Sequence, residues 1–192
     1  MTDHKAARSK PRRTRKVTPQ SLRNAALYYL QRYASSSSNL RAVLTRRIKR
    51  AERDQEIDQD AAATWIEKIV ADFETSGLLD DKTYADARIQ TMFRQGRSRR
   101  IMMLDLRKKG VAADVAESAV DTLSQETAAP DRIAAVRHAR RRRLGPFRAS
   151  DRPEYRERDL AAMARAGFDY QTARLVIDAS DPEELEEDPL QE

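Results

Sequence analysis

The sequence predicts an all-α fold, a tandem repeat of three three-helix units forming a curved elongated rod. Three observations carry that expectation. Only five glycines occur in 192 residues, no run of alternating β-branched residues is present, and long stretches are rich in Ala, Leu, Arg, Glu, Lys and Gln, side chains that lose little rotamer freedom in a helix. Apolar residues recur every three or four positions from Val17 onward, the period of one buried helix face. The chain also matches itself after a shift of 57 residues: Met103, Leu106, Gly110 and Val111 fall on Leu160, Met163, Gly167 and Phe168, followed by Ala116 on Ala173, Ala119 on Val176 and Val120 on Ile177. A repeat that buries its apolar stripe against its neighbours yields an elongated body with one extended face.

Thr18 and Pro19 open the first helix as N-cap and first-turn residue, and Leu22, Ala26, Tyr29, Leu30 and Tyr33 form its inner face. The polar run 35–39 breaks it, and Asn39 or Ser38 caps a second helix with Leu40, Val43, Leu44 and Ile48 inside. A third spans about 58–75 on the stripe Ala62, Trp65, Ile66, Ile69 and Phe73, with Gly77 as its stop. Asp80 or Asp81 caps the fourth, which carries Tyr84, Ala85, Ile89, Met92 and Phe93 and ends at Gly96. Ser98 caps the fifth, with Met102, Met103 and Leu106 inside, and Val111, Val115, Ala119, Val120 and Leu123 mark the sixth. After a linker at 127–130, three more helices are expected over about 131–144, 154–166 and 169–178. The expected organisation is a disordered basic extension (1–17), three units (18–77, 78–127 and 128–180) and an acidic C-terminal tail (181–192).

Composition limits the function classes. With 40% hydrophobic and 35% charged residues the cores are small and the surface large. No cysteine is present, which excludes disulfides, a thiolate nucleophile and Cys-based zinc. No stretch approaches the ~18 apolar residues of a membrane span, and the basic first sixteen residues lack an apolar leader core, so a cytoplasmic protein is expected. The formal charge of +6 is unevenly placed: the last twelve residues hold seven acids and no base, leaving +13 on residues 1–180. Such a field draws in polyanions or acidic protein surfaces, and more weakly as salt rises.

An enzyme needs convergent nucleophile, base, metal ligands or phosphate-binding glycines, and the sequence supplies none of these sets. His4 lies in the extension and His138 in a basic helix; no Gly-rich phosphate loop or His-rich metal pattern occurs. No catalysis, cofactor or metal is expected. Trp65 reads as core, and Phe147 as either a partner contact or a loop anchor. The positive signal is arginine. Arg140, Arg141, Arg142 and Arg143 close the seventh helix, with Arg137 one turn earlier and Arg148 in the loop beyond; Arg94, Arg97, Arg99 and Arg100 occupy the corresponding turn of the middle unit. A helix C-terminus favours cations, yet not so many, and two clusters at equivalent turns read as a repeated ridge for phosphates or acidic side chains. A helix-turn-helix reading around Gly110 fits poorly, because the first turns of the following helix offer Asp114, Glu117 and Asp121 to the phosphates.

Four blocks carry a family resemblance: Ala26-Leu27-Tyr28-Tyr29-Leu30-Gln31-Arg32-Tyr33, Ser37-Ser38-Asn39-Leu40, Gly77-Leu78-Leu79-Asp80-Asp81 with Tyr84-Ala85, and Leu106-Arg107-Lys108-Lys109-Gly110-Val111. In order and spacing over roughly residues 20–123, and more weakly to about 179, they resemble the RecX regulatory family. The resemblance implies three tandem three-helix units and regulation of the RecA recombinase. It further implies binding in the groove of the RecA–single-stranded-DNA filament, restraining growth, ATP hydrolysis, strand exchange and co-protease activity in recombination, repair and the SOS response. The expected partners are therefore the RecA filament and single-stranded DNA, with double-stranded DNA a further candidate and the protein a monomer. The alternative reading is a general nucleic-acid-binding protein that acts without RecA. The sequence departs from the family pattern in its basic extension, its acidic tail and the long 50–58 stretch.

Overall fold

The computed structural model describes residues 16–185; the basic extension before Lys16 and the acidic tail after Leu185 lie outside them. Among the described residues there are nine α-helices and no strand: α1 (Pro19–Leu30), α2 (Ser37–Ala51), α3 (Gln59–Thr75), α4 (Asp81–Arg94), α5 (Arg99–Lys108), α6 (Ala113–Glu126), α7 (Pro130–Arg142), α8 (Arg152–Arg165) and α9 (Tyr170–Asp178). Short 3-10 turns follow α7 at Gly145–Phe147 and α9 at Glu183–Leu185. The second of these buries Leu185 in the core, so the first residues of the acidic stretch pack onto the body.

Helix starts follow the capping chemistry of the sequence, with informative exceptions. Thr18 and Ser21 form a reciprocal capping box on α1, Asp80 caps α4 through Lys82 N and Thr83 N, and Ser98 caps α5. The expected cap of α2 moves earlier: Ser36, rather than Ser38 or Asn39, accepts from Asn39 N at 3.2 Å. The Asn39 side chain is instead spent on Tyr29 Oη at 3.1 Å and Ser35 Oγ at 2.8 Å. Asp81 caps nothing and accepts from Ser37 N at 2.7 Å, across the boundary between the first two helix triplets. Tyr33, expected on the inner face of α1, is 57% exposed, because α1 ends at Leu30 and the chain leaves helical register before reaching it.

Among the described residues the buried apolar side chains gather into two hydrophobic cores. The first gathers α1, α2 and α3 around Leu22, Leu40, Leu44, Ile66, Val70 and Phe73, with Trp65 half-buried against it. The second runs unbroken from α4 to α9 through Ile89, Leu106, Val120, Ala134, Met163 and Val176. The 57-residue match holds in space: Leu106 and Met163 are both fully buried, as are, within a few per cent, Val111 and Phe168, Ala116 and Ala173, and Val120 and Ile177.

One polar device recurs between successive triplets. Ser36 Oγ, while capping α2, donates to the carbonyl of Lys109 at the end of α5. Ser98 Oγ, while capping α5, donates at 2.8 Å to the carbonyl of Ala166 at the end of α8. Both serines are fully buried, and a hydroxyl can accept and donate at once. The start of each second helix is thus tied to the end of the next second helix, which sets the repeat in register along the rod.

Candidate functional site

The arginine clusters sit on turns that the fold forces together. Gly96, at φ +66°, lies against α7 so closely that an added Cβ would stand 2.7 Å from His138 N and 2.9 Å from Ala134 O. The turn carrying Arg94 and Arg97 is therefore laid across the helix that carries Arg137 to Arg142. Arg137 completes the contact from its side, with its guanidinium over the Phe93 ring at 4.5 Å and Nη1 donating to the Phe93 carbonyl at 3.4 Å.

His138 lies at the centre of this junction. It is 8% exposed, packs against Phe168 at 5.6 Å between ring centroids, and its Nδ1 has no hydrogen-bond partner among the described residues. Burial lowers its pKa, and the charges of Arg141, Arg142 and Arg97 lower it further. Those three arginines come from both sequence clusters. The two clusters lie on the turns that follow the first helix of the second and third triplets, and Arg97 from one shares the junction around His138 with Arg141 and Arg142 from the other.

Four successive arginines at the end of α7 do not compete with the core, because the helix stops at Arg142. Arg143 takes a left-handed conformation at φ 56°, and Leu144 N bonds back to Ala139 O at 2.9 Å, so that Leu144 rather than Arg143 turns inward. Arg94, Arg97, Arg100, Arg141, Arg142 and Arg143 are all exposed, and none has a carboxylate within ion-pair distance among the described residues. Arg99 is partly compensated, lying 3.9 Å from Asp121, while its backbone N–H donates to Asp131 at 2.9 Å. The Arg140 guanidinium lies over Phe147 at 5.5 Å, and Phe147, half-buried on the second core, is a loop anchor.

Arg148 has a different task. It grips the buried Asp159 of α8 at 2.7 and 3.3 Å and stacks on Tyr155 at 4.3 Å, while Gly145 N donates to the same carboxylate at 2.9 Å. Asp159 holds the connection between α7 and α8 by accepting three hydrogen bonds, from Gly145 N and twice from Arg148, and removing either partner would leave a buried charge uncompensated. Sequence reading passed over Asp159: it lies on the apolar side of α8 next to Leu160, and a carboxylate in that stripe was the available signal.

Among the described residues no group of three or more His, Asp or Glu side chains could hold a metal ion, and no helix is long and apolar enough to cross a membrane. A cleft of about 320 Å³ beside the patch has an apolar floor of Phe93, Met102 and Leu123 and is rimmed by Arg99 and Arg132. The exposed guanidinium groups of Arg94, Arg97, Arg100, Arg141, Arg142 and Arg143, which have no carboxylate partner among the described residues, offer bidentate hydrogen bonds to phosphate or carboxylate.

The family model described as RecX, second three-helix domain, matches residues 80–120. The chain is similar to the regulatory protein RecX of Myxococcus xanthus, 44% identical over 172 residues covering 88% of this chain and 91% of that protein. It is also similar to the regulatory protein RecX of Agrobacterium fabrum, 33% identical over 166 residues covering 86% and 85%. Two crystal structures share the fold at 20% identity: one of a regulatory protein RecX, with a TM-score of 0.61 over 84% of this chain and 72% of that one, and one of RecX from Lactobacillus salivarius, with a TM-score of 0.59 over 83% and 94%.

Proposed function

The chain belongs to the RecX family of regulatory proteins, and from that premise we propose that it binds the groove of the RecA–single-stranded-DNA filament in the cytoplasm and restrains filament growth, ATP hydrolysis, strand exchange and co-protease activity. The observation that supports this reading is the set of exposed guanidinium groups of Arg94, Arg97, Arg100, Arg141, Arg142 and Arg143 on two successive turns, none with a carboxylate partner among the described residues, of which Arg97, Arg141 and Arg142 meet around His138. Arg99 and Arg140 flank the contact. Arg137 and Arg148 support it from within, through Phe93 and Asp159.

A regulator of this kind needs no active site. A body that lies along a filament groove and prefers one filament state over another by ~1.4 kcal/mol shifts their ratio about tenfold. Phosphates deep in the groove and acidic groove walls both satisfy an arginine fork, and the rod spreads the contact over more than one filament subunit.

Titration into a RecA ATPase assay on single-stranded DNA tests the proposal. Reversing Arg94, Arg97 and Arg100 to Glu, or Arg141, Arg142 and Arg143 to Glu, is expected to raise the concentration needed for inhibition on the order of tenfold with the helical circular-dichroism signal unchanged. Full inhibition by both variants would sink the assignment. Equal affinity for bare and RecA-coated DNA at matched salt, with no effect on the ATPase, would leave the protein a general nucleic-acid binder.

A further inference from the structure

The turn between the first and second helices recurs in each triplet, and in the second and third triplets it carries the arginine patch. In the first triplet the same turn carries tyrosines. Tyr28 and Tyr33 are each 57% exposed, and neither hydroxyl has a hydrogen-bond partner among the described residues. Three of the other four tyrosines are accounted for by the fold: Tyr29 packs on the first core and accepts from Asn39, and Tyr84 and Tyr155 are half-buried. Tyr170 is also exposed, at the start of α9 and without a second exposed aromatic beside it in sequence. Helix α1 would gain from alanine at position 28, which forms helix better than tyrosine.

Several cations surround these two rings, and the carboxylate at the same turn, Asp81, is held by Ser37 N at 2.7 Å. The Arg32 guanidinium lies over the Tyr28 ring at 4.5 Å, and Tyr33 tilts against Tyr29 at 5.2 Å between centroids. Three residues after Tyr33, Ser36 is bonded to the carbonyl of Lys109, which brings the end of α5, with exposed Arg107 and Lys108, to the same turn. The nearest carboxylate on α5, Asp105, is occupied by Arg88 at 2.7 and 3.0 Å. Exposed aromatic rings set among cations are the arrangement that holds unpaired bases by their faces and the backbone by its charge.

We infer that Tyr28 and Tyr33, with Arg32 between them, form a base-stacking station for single-stranded nucleic acid on the first triplet. The station rests on the proposal that the ridge faces nucleic acid, and it adds a division of labour. The second and third triplets take phosphates, and the first takes bases. A duplex, whose bases are stacked on one another, cannot use the station, so the rings also supply a preference for single strands.

The test compares the full chain on a fluorescent single-stranded DNA of about 16 nucleotides and on an abasic strand of equal length, across a salt series. The wild type is expected to bind the base-bearing strand about tenfold more tightly than the abasic one. Tyr28→Ala with Tyr33→Ala should bring the two strands within about twofold while leaving thermal stability and the salt slope unchanged, and Tyr28→Phe with Tyr33→Phe should keep the discrimination. Reversing Arg141, Arg142 and Arg143 should weaken both strands alike and flatten the slope. Discrimination that survives the double alanine change overturns the station and leaves the ridge intact, even where filament inhibition is lost, since the rings then face protein. A wild type that binds neither strand removes the nucleic-acid side of the proposed function and the station with it.

Discussion

The joint between the first and second triplets and the joint between the second and third use the same clasp, a buried cap serine reaching the carbonyl end of the next second helix. Around the clasp they differ. At the second joint an apolar core passes from α4 to α9 without interruption, and Gly96 lets two backbones touch. At the first joint the two cores share no residue, and the added contacts are polar: Ser37 N to Asp81, and Ser38 packed where Gly110 leaves no room for a Cβ. Apolar burial scales with area and is indifferent to small rotations, whereas a hydrogen bond loses most of its worth with a modest change of angle. A shared close-packed core nevertheless resists rotation because many interlocked side chains must shift together, so the second and third triplets form a stiff pair carrying the arginines, and the first triplet is oriented by a few directional bonds.

The largest expected effects come from opening each core. Leu44→Ala and Leu106→Ala each remove a fully buried side chain and should cost about 2–5 kcal/mol. Hydrogen exchange separates them. Leu44→Ala should deprotect α1, α2 and α3 while α4 to α9 keep their protection, and Leu106→Ala should weaken all six helices of the second core together. Uniform loss over all nine helices in Leu44→Ala would break the comparison.

Next in size is Gly96→Ala. The left-handed backbone at φ +66° costs about 1–2 kcal/mol for a residue with a Cβ, and crowding against His138 N and Ala134 O adds to it, so about 2–4 kcal/mol is expected from urea unfolding midpoints. The same change should loosen Arg97 from the patch and weaken polyanion binding beyond what lost stability explains.

Ser36→Ala and Ser98→Ala sharpen the comparison more finely. Each removes a helix cap and takes a donor from a half-buried carbonyl, a loss of about 1–2 kcal/mol. Their consequences for shape should differ. Spin-label distances between α3 and α6 are expected to broaden in Ser36→Ala, where polar contacts set the angle, while distances between α6 and α8 stay narrow in Ser98→Ala. Equal broadening would mean that the shared core does not stiffen the second joint.

Much of this was legible in the sequence, for identifiable reasons. Helical spacing, the 57-residue match and the caps at Thr18 and Ser98 are local signals, and local signals survive into the fold. What escaped are groups whose partners lie far along the chain. Ser36 reads as one of four similar serines until Lys109 is beside it, and Asp81 reads as a spare cap until Ser37 donates to it. Asp159 reads as a break in an apolar stripe until Arg148 and Gly145 meet it. For the candidate site, the arginines themselves were legible as two clusters. Their merger around His138 was not, because it depends on a close approach that only Gly96 permits.

The smallest effect is the most local to the stiff joint. His138 is held neutral by burial and by Arg141, Arg142 and Arg97, so its folded pKa lies below the ordinary value near 6.5. The unfolded chain then binds a proton that the folded chain refuses. Stability contributed by the neutral ring is complete above pH 6.5 and declines as pH falls from there through the folded pKa. Urea midpoints of the wild type should drop between about pH 7 and pH 5 more than those of His138→Phe, which keeps the ring contact with Phe168 and has no proton to take. A bound polyanion offsets the three arginine charges, so it should raise the His138 pKa in an NMR titration of the full chain. An unmoved His138 resonance on saturating polyanion would place the contact away from the joint and return the arginines to the status of a solvated surface.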